Sequence, residues 1–352
     1  MSYEIDVFDQ AALTDVINRS FQSREDGSPS VGAQIAPLRP VQSRSVKVNG
    51  RIVNGNGLGQ LRAPGATPPL YEPTASFEES VIELALPDEM HRINEEDYLA
   101  LRSNDVNYRR KAGVELVERV ESLVVRNINR TEKMRWEAFS GEVTLEYASG
   151  ATLTVDYDVP ATNKPSASVP WQNTATSDPI ADLKAWQKLT ANEVGAYGTK
   201  IHMSSEAYDL MIASDKLVQK LTGSERPLYV PTRDDVLSLL RAGTEIIIYD
   251  GGWRPDGSSD RGIDGLNRFL PKDKVLITTD YSLNGQRIAD TPDGQVLVGN
   301  SINSAPVIRQ GAQTEIIYDQ ISHEHLVRYA SARIVRLHEP GAFVYADVGT
   351  VV

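Results

Sequence analysis

An α+β fold is predicted, on three observations. Residues Asn107–Phe139 hold no proline and place apolar side chains at steps of three and four. Residues 142–158 alternate apolar and polar on either side of a small turn. From Asp178 onward, short helical patterns and short strand patterns take turns along the chain.

Taken in order, the chain starts with Asp9 ahead of Ala11, Leu13, Val16, Ile17 and Phe21, which predicts a short helix. Gln22 to Pro40 is rich in Ser, Gly and Pro and has no periodic face, so residues 1–41 are expected to be an arm lying along another surface. In residues 42–76, Val46, Val48, Ile52 and Val53 flank Asn49-Gly50, a dipeptide suited to a tight hairpin. Four glycines and four prolines follow, a run too long for a structureless loop inside a compact domain. Its apolar residues need a partner surface. Val81–Leu86 reads as a strand, ended by Pro87, leading into the long helix.

Within 107–139, Val117, Val120, Val124 and Ile128 mark the apolar face, with Glu115 and Arg119 on the charged one. At about 1.5 Å per residue such a helix is roughly 50 Å long, a rod suited to an extended subunit. The next segment predicts a hairpin, with Val143, Leu145 and Tyr147 answered by Leu153, Val155 and Tyr157 across Ala148-Ser149-Gly150. After the polar stretch 160–176, Asp178 caps a helix with Pro179 at its first position and Leu183, Trp186 and Leu189 within it. Strands are expected at 200–204, 245–249, 275–279, 333–337 and 342–352, and helices at 205–213, 215–221 and 232–241. Gly251–Arg268 reads as a Gly/Asp-rich loop, and Leu283–Gln320 as polar and turn-rich.

Composition narrows the function. The 352 residues carry a formal charge of −12, which argues against a general nucleic-acid coat, because phosphate binding needs Lys and Arg. Zero cysteines exclude disulfides, thiolate catalysis and Cys-based zinc sites. No apolar run approaches the roughly 18 residues of a membrane span, and the acidic start is no secretory signal. The protein is expected to act where it is made, away from membranes.

The search for chemistry finds little. His323-Glu324-His325 would put two imidazoles on one strand face, without a third ligand at metal spacing. Gly55-Asn56-Gly57-Leu58-Gly59 lacks the dinucleotide spacing, and Asp256, Asp260 and Asp264 lack that of a calcium loop. Asp156 and Asp158 flank Tyr157, so on a strand both carboxylates face one side, the minimum for a carboxylate-dependent hydrolase. Solvent-facing charge is the plainer reading. No cofactor and no metal are expected.

Three local patterns carry a resemblance. One is Trp171 followed by Asp178-Pro179-Ile180-Ala181-Asp182-Leu183; another is Ile246–Trp253 (IIIYDGGW), then Phe269-Leu270-Pro271 and the strand 275–279; the third is the ending EPGAFVYADV at 339–348. With the order of arm, extension, long helix, hairpin and mixed insert, they resemble the lambda-type major capsid protein E family of tailed bacteriophages. That family has the Hong Kong 97-like fold.

The resemblance implies a non-enzymatic shell protein that builds the icosahedral head from pentamers and hexamers. It implies an N-terminal arm (1–41), an extended loop (42–76), a peripheral domain (77–177) with its spine helix at about 107–139, an axial domain (178–320) and return strands to the peripheral domain (321–352). Val46, Val48, Arg51, Ile52, Leu58, Leu61, Arg62, Leu70 and Tyr71 become candidate contacts between subunits. Other copies of the chain, a separate scaffolding protein, a portal protein and, optionally, a decoration protein are the implied partners. Double-stranded DNA would be enclosed without sequence-specific binding. Such a protein belongs to the virion and is assembled in the bacterial host cytoplasm. An encapsulin-like compartment of the same fold is the related alternative, and the Asp156/Asp158 hydrolase the unrelated one.

Overall fold

The structure is a computed structural model that describes residues 30–42, 45–49, 80–86, 88–147, 149–223, 229–255, 265–279, 282–283, 286–287, 294–302, 308–310, 313–319, 324–337 and 339–349. The helix expected after Asp9, the hairpin return at 52–53 and the aspartates at 256, 260 and 264 lie outside them.

The elements begin with α1 (Val31–Ile35), β1 (Leu38–Pro40), β2 (Ser45–Asn49), β3 (Ser80–Glu83), β4 (Asp88–Ile93) and α2 (Glu95–Leu101). The long helix α3 (Val106–Ser140) and the hairpin β5 (Glu142–Glu146) and β6 (Thr152–Asp156) follow. Then come α4 (Pro179–Val194), β7 (Lys200–Met203), α5 (Ser205–Ile212), α6 (Asp215–Thr222), α7 (Arg233–Leu239) and β8 (Glu245–Ile248). Next are β9 (Gly252–Trp253), β10 (Asn267–Arg268), β11 (Lys274–Thr278), β12 (Ser282–Leu283), β13 (Gln286–Arg287) and β14 (Gly294–Val298). The rest are β15 (Asn300–Ile302), β16 (Ile308–Gln310), β17 (Gln313–Asp319), β18 (Glu324–Ala330), β19 (Arg333–Leu337) and β20 (Val344–Asp347).

Local chemistry accounts for the ends of the main elements. Asp105 caps α3 by accepting from the N–H groups of Asn107 and Tyr108, and Gly141 stops it in the left-handed region at φ 102°. The helix is therefore one residue longer at each end than the sequence predicts. Its surface pairs differ from the i,i+4 expectation: Arg119 reaches Asp97 on α2 at 2.6 Å, and Glu115 lies 3.8 Å from Lys111. The hairpin forms in the expected register, Val143 opposite Val155 and Leu145 opposite Leu153. Asp178 caps α4 by accepting from Ala181 N–H, with Pro179 in the first turn.

Three buried clusters organise the chain. In the first, Met134, Trp136 and Phe139 from the end of α3 pack with Val143, Val155 and Tyr157 of the hairpin region and with the sheet β1-β14-β19. In the second, the sheet β20-β11-β7-β8 packs against α4 to α7 around Trp171, Leu183, Trp186, Ile201, Met211 and Val344. The third joins the middle of α3, through Leu116, Leu123 and Val124, to the sheet β17-β18-β4 through Val327, Tyr329 and Ile93. Among the described residues, no helix is long and apolar enough to cross a membrane.

Four findings depart from the sequence reading. Gly294–Val298, placed in the polar stretch, is a fully buried strand between β1 and β19. Asp88–Ile93, given no element by the sequence, is a strand that exposes Asp88, Met90 and Arg92 on one face and buries Ile93 on the other. Both need partners more than 200 residues away, since β14 pairs with β1 and β4 pairs with β18. The two last strands also separate: β19 joins the first sheet and β20 the second. Finally, β2 pairs antiparallel with β3, Val46 opposite Ile82, so residues 50–79 run between two paired strands.

Candidate functional site

Three places in the molecule concentrate interactions or leave surface uncovered. The first is a junction on α3. Glu132 is 2% exposed. Its carboxylate accepts from Ser30 Oγ (2.7 Å), Gly32 N–H (3.0 Å), Arg135 Nη1 (3.0 Å), Trp136 Nε1 (2.9 Å) and the Tyr249 hydroxyl (2.9 Å). Arg135, itself fully buried, donates from Nε to Ala36 O at 2.9 Å, and the Trp136 ring stacks on Tyr249 with centroids 4.8 Å apart. One carboxylate thus ties α1, the long helix and the end of β8 together. A buried ion pair is tolerable where its lone pairs and protons are engaged, as here. A Cβ on Gly32 would fall 2.5 Å from Glu132 Oε1, so the close approach of α1 requires glycine. Burial and then the Glu132 charge push the Tyr249 hydroxyl pKa upward, which keeps it a donor.

Sequence reasoning missed this junction. The signal for it is the last turns of α3, where Met134, Trp136, Ala138 and Phe139 are buried and only the Lys133–Glu137 side stays half-exposed. Charges at positions i and i+3 inside such a stretch must be paired.

The motifs behind the family resemblance serve as core anchors. Asp182 accepts from Ser168 Oγ (2.8 Å) and Trp171 Nε1 (3.1 Å), and Trp171 stacks on Trp186 at 6.0 Å. Leu270 is fully buried and Phe269 stacks on Trp253 at 5.4 Å. Arg268 binds both Glu206 and Asp250, fastening the base of the β9–β10 ribbon to the start of α5.

The second place is the β2–β3 stem. Val46 and Val48 belong to β2. Arg51, Ile52, Leu58, Leu61, Arg62, Leu70 and Tyr71 lie outside the described residues.

The third place comprises the two ends of α3. At its start, Val106, Tyr108 and Val114 are exposed beside Arg109, Arg110 and Lys111; after its end, the hairpin exposes Tyr147 and Leu153. Between them Glu146 lines an open cavity of about 350 Å³ with Arg130 and Lys133, where Arg126 is held by Glu89 at 2.8 Å.

The carboxylate pair needs correction. Strand β6 ends at Asp156, and Asp158 takes the left-handed backbone at φ 52° while its N–H donates to Asp156 Oδ1 at 2.9 Å. This tight turn breaks the two-residue alternation, so the carboxylates do not share a strand face. Tyr157 between them is buried and donates its hydroxyl to Val335 O at 2.8 Å, a packing role. His325 lies in β18, and His323 is outside the described residues, among which no group of three or more His, Cys, Asp or Glu could hold a metal. His202 is buried with neither ring nitrogen hydrogen-bonded, and burial lowers its pKa to about 3. It is a neutral core residue, 6.1 Å edge-on from the Trp136 ring.

The sequence matches the family model of phage major capsid protein E over residues 62–305, more than half of the chain. No curated protein sequence matches it significantly. Among solved structures, a phage-related protein from Bordetella bronchiseptica RB50 is similar at 14% identity and a TM-score of 0.53, covering 95% of this chain and 96% of that one. A protein described as the capsid protein of a prophage of E. coli CFT073 is similar at 14% identity and a TM-score of 0.56, covering 96% and 99%. At that identity the likeness speaks for fold, and it agrees with the Hong Kong 97-like α+β class.

Proposed function

The chain belongs to the phage major capsid protein E family, a shell protein of the virion, and from that premise we propose that it closes an icosahedral head as pentamers and hexamers. The observation that carries the assembly reading is the β2–β3 pair: two antiparallel strands with residues 50–79 between them in the chain. A loop of that length, rich in Gly and Pro and without a core of its own, is costly to order alone. Burial on a neighbouring subunit offsets the cost. Val46, Val48, Arg51, Ile52, Leu58, Leu61, Arg62, Leu70 and Tyr71 are then its contact residues.

In this reading the arm comprises residues 1–41 and the extended loop 42–76. The peripheral domain (77–177) is built on α3, the axial domain spans 178–320, and 321–352 return. A separate scaffolding protein, a portal protein and an optional decoration protein are the partners, and assembly takes place in the host cytoplasm. Double-stranded DNA is enclosed without sequence reading, which suits a chain with formal charge −12 that would not adhere along the polymer.

The test is negative-stain microscopy with size-exclusion chromatography on the protein alone and with a candidate scaffold. Shells, tubes or rings are expected. Replacing residues 50–79 with a short Gly-rich turn should leave a folded subunit that forms no closed shells; normal shells from that variant would remove the loop from the assembly contact.

A further inference from the structure

We propose that the exposed start of α3 docks on the β5–β6 hairpin of a second copy of the chain, in a head-to-tail contact. The proposal rests on the shell reading above and names one of its contacts. Three observations carry it.

The start of α3 leaves apolar side chains uncovered. Leu116, Leu123 and Val124 are covered by the sheet β17-β18-β4, whereas Val106, Tyr108 and Val114 are 56%, 56% and 53% exposed. Val114 stands on the face opposite Leu123, turned away from that sheet. Apolar side chains grouped in water beside one another suit a partner surface.

The charges of the two surfaces are complementary. Residues 102–111 carry Arg102, Arg109, Arg110 and Lys111 against Asp105 alone, in a chain with a formal charge of −12. Residues 142–158 carry Glu142, Glu146, Asp156 and Asp158 and no Lys or Arg. The hairpin also exposes apolar surface, at Tyr147 (46%) and Leu153 (42%).

Geometry makes the contact intermolecular. The 35 residues of α3 span roughly 50 Å at about 1.5 Å per residue, and the hairpin begins directly after Gly141. The start of the helix and the hairpin therefore stand at opposite ends of one rod. Each chain offers one surface of each kind, so the contact is heterologous, the type that closes into rings.

The experiment uses the full chain under the conditions in which the wild type forms shells. Arg110→Glu with Lys111→Glu should abolish shells while leaving far-UV circular dichroism and melting temperature near wild type. Glu142→Lys with Asp156→Asn, which keeps the acceptor for Asp158 N–H, should do the same. All four substitutions in one chain should restore shells, because each reversed surface again meets its complement. Failure of that rescue overturns the proposal, as does normal assembly of the hairpin variant, which would assign the helix start to another occupant such as the acidic segment 1–29. Wild-type shells together with normal shells from every variant sink only this contact. A wild type that never assembles sinks the shell reading with it.

Discussion

The two ends of α3 solve opposite problems within one helix. Towards its end, Glu132 and Arg135 are taken fully out of water and held among α1, Trp136 and Tyr249; at its start, Val106 and Val114 stand in water. Burial at one end fixes how a single chain folds. Exposure at the other leaves apolar surface in water. One element thus combines a buried end and an exposed end, and the proposed contact assigns stability to the first and association to the second.

The sharpest way to break this contrast is Glu132→Ala. It leaves buried Arg135 without its counter-charge and should cost about 3–5 kcal/mol, read by urea unfolding of the subunit. A loss under about 1 kcal/mol would mean that the junction does not hold the fold.

A smaller, graded effect comes from His202 beside Trp136. Its folded pKa, about 3, lies below the ordinary histidine value of 6.5. Above about pH 6.5 the ring is neutral in both states, and full stability is present. As pH falls through the window down to about 3, only the unfolded chain takes up the proton, and stability drops by about 1.4 kcal/mol per pH unit. His202→Leu should flatten that slope, measured as melting temperature against pH; an unchanged slope would assign the acid sensitivity elsewhere.

The smallest effect on folding belongs to the other end. Val106→Ser with Val114→Ser should change subunit stability by less than about 0.5 kcal/mol, as exposed positions do, while lowering shell yield. A large stability loss there would show that both helix ends belong to the core.

What the sequence revealed were features whose signals are local. The Val143–Val155 hairpin and the Asp178-Pro179 cap each act within a few residues, and they were legible, whereas the Asp105 cap and the Gly141 stop of α3 were local signals left unread. Strands β4 and β14 were not, because each has a partner more than 200 residues away and a five-residue stretch such as Gly294–Val298 carries no periodicity of its own. Glu132 was hidden for the same reason: its donors at Ser30, Gly32 and Tyr249 come from distant segments. The opposite error occurred at Asp156 and Asp158, where a two-residue period was carried past the end of the strand into a turn. Of the candidate contact residues, only Val46 and Val48 fall within a described element.

The separation of the last two strands has a consequence in time. Strand β11 lies between β7 and β20, and β14 between β1 and β19. While a ribosome is still making the chain, β11 and β14 each offer a bare edge to any strand nearby, the hazard that open sheets carry. Neither edge closes until residues 333–347 have emerged. Growing chains on one messenger therefore depend on spacing or chaperones to keep those edges apart, and a subunit becomes a competent building block only near the end of its synthesis.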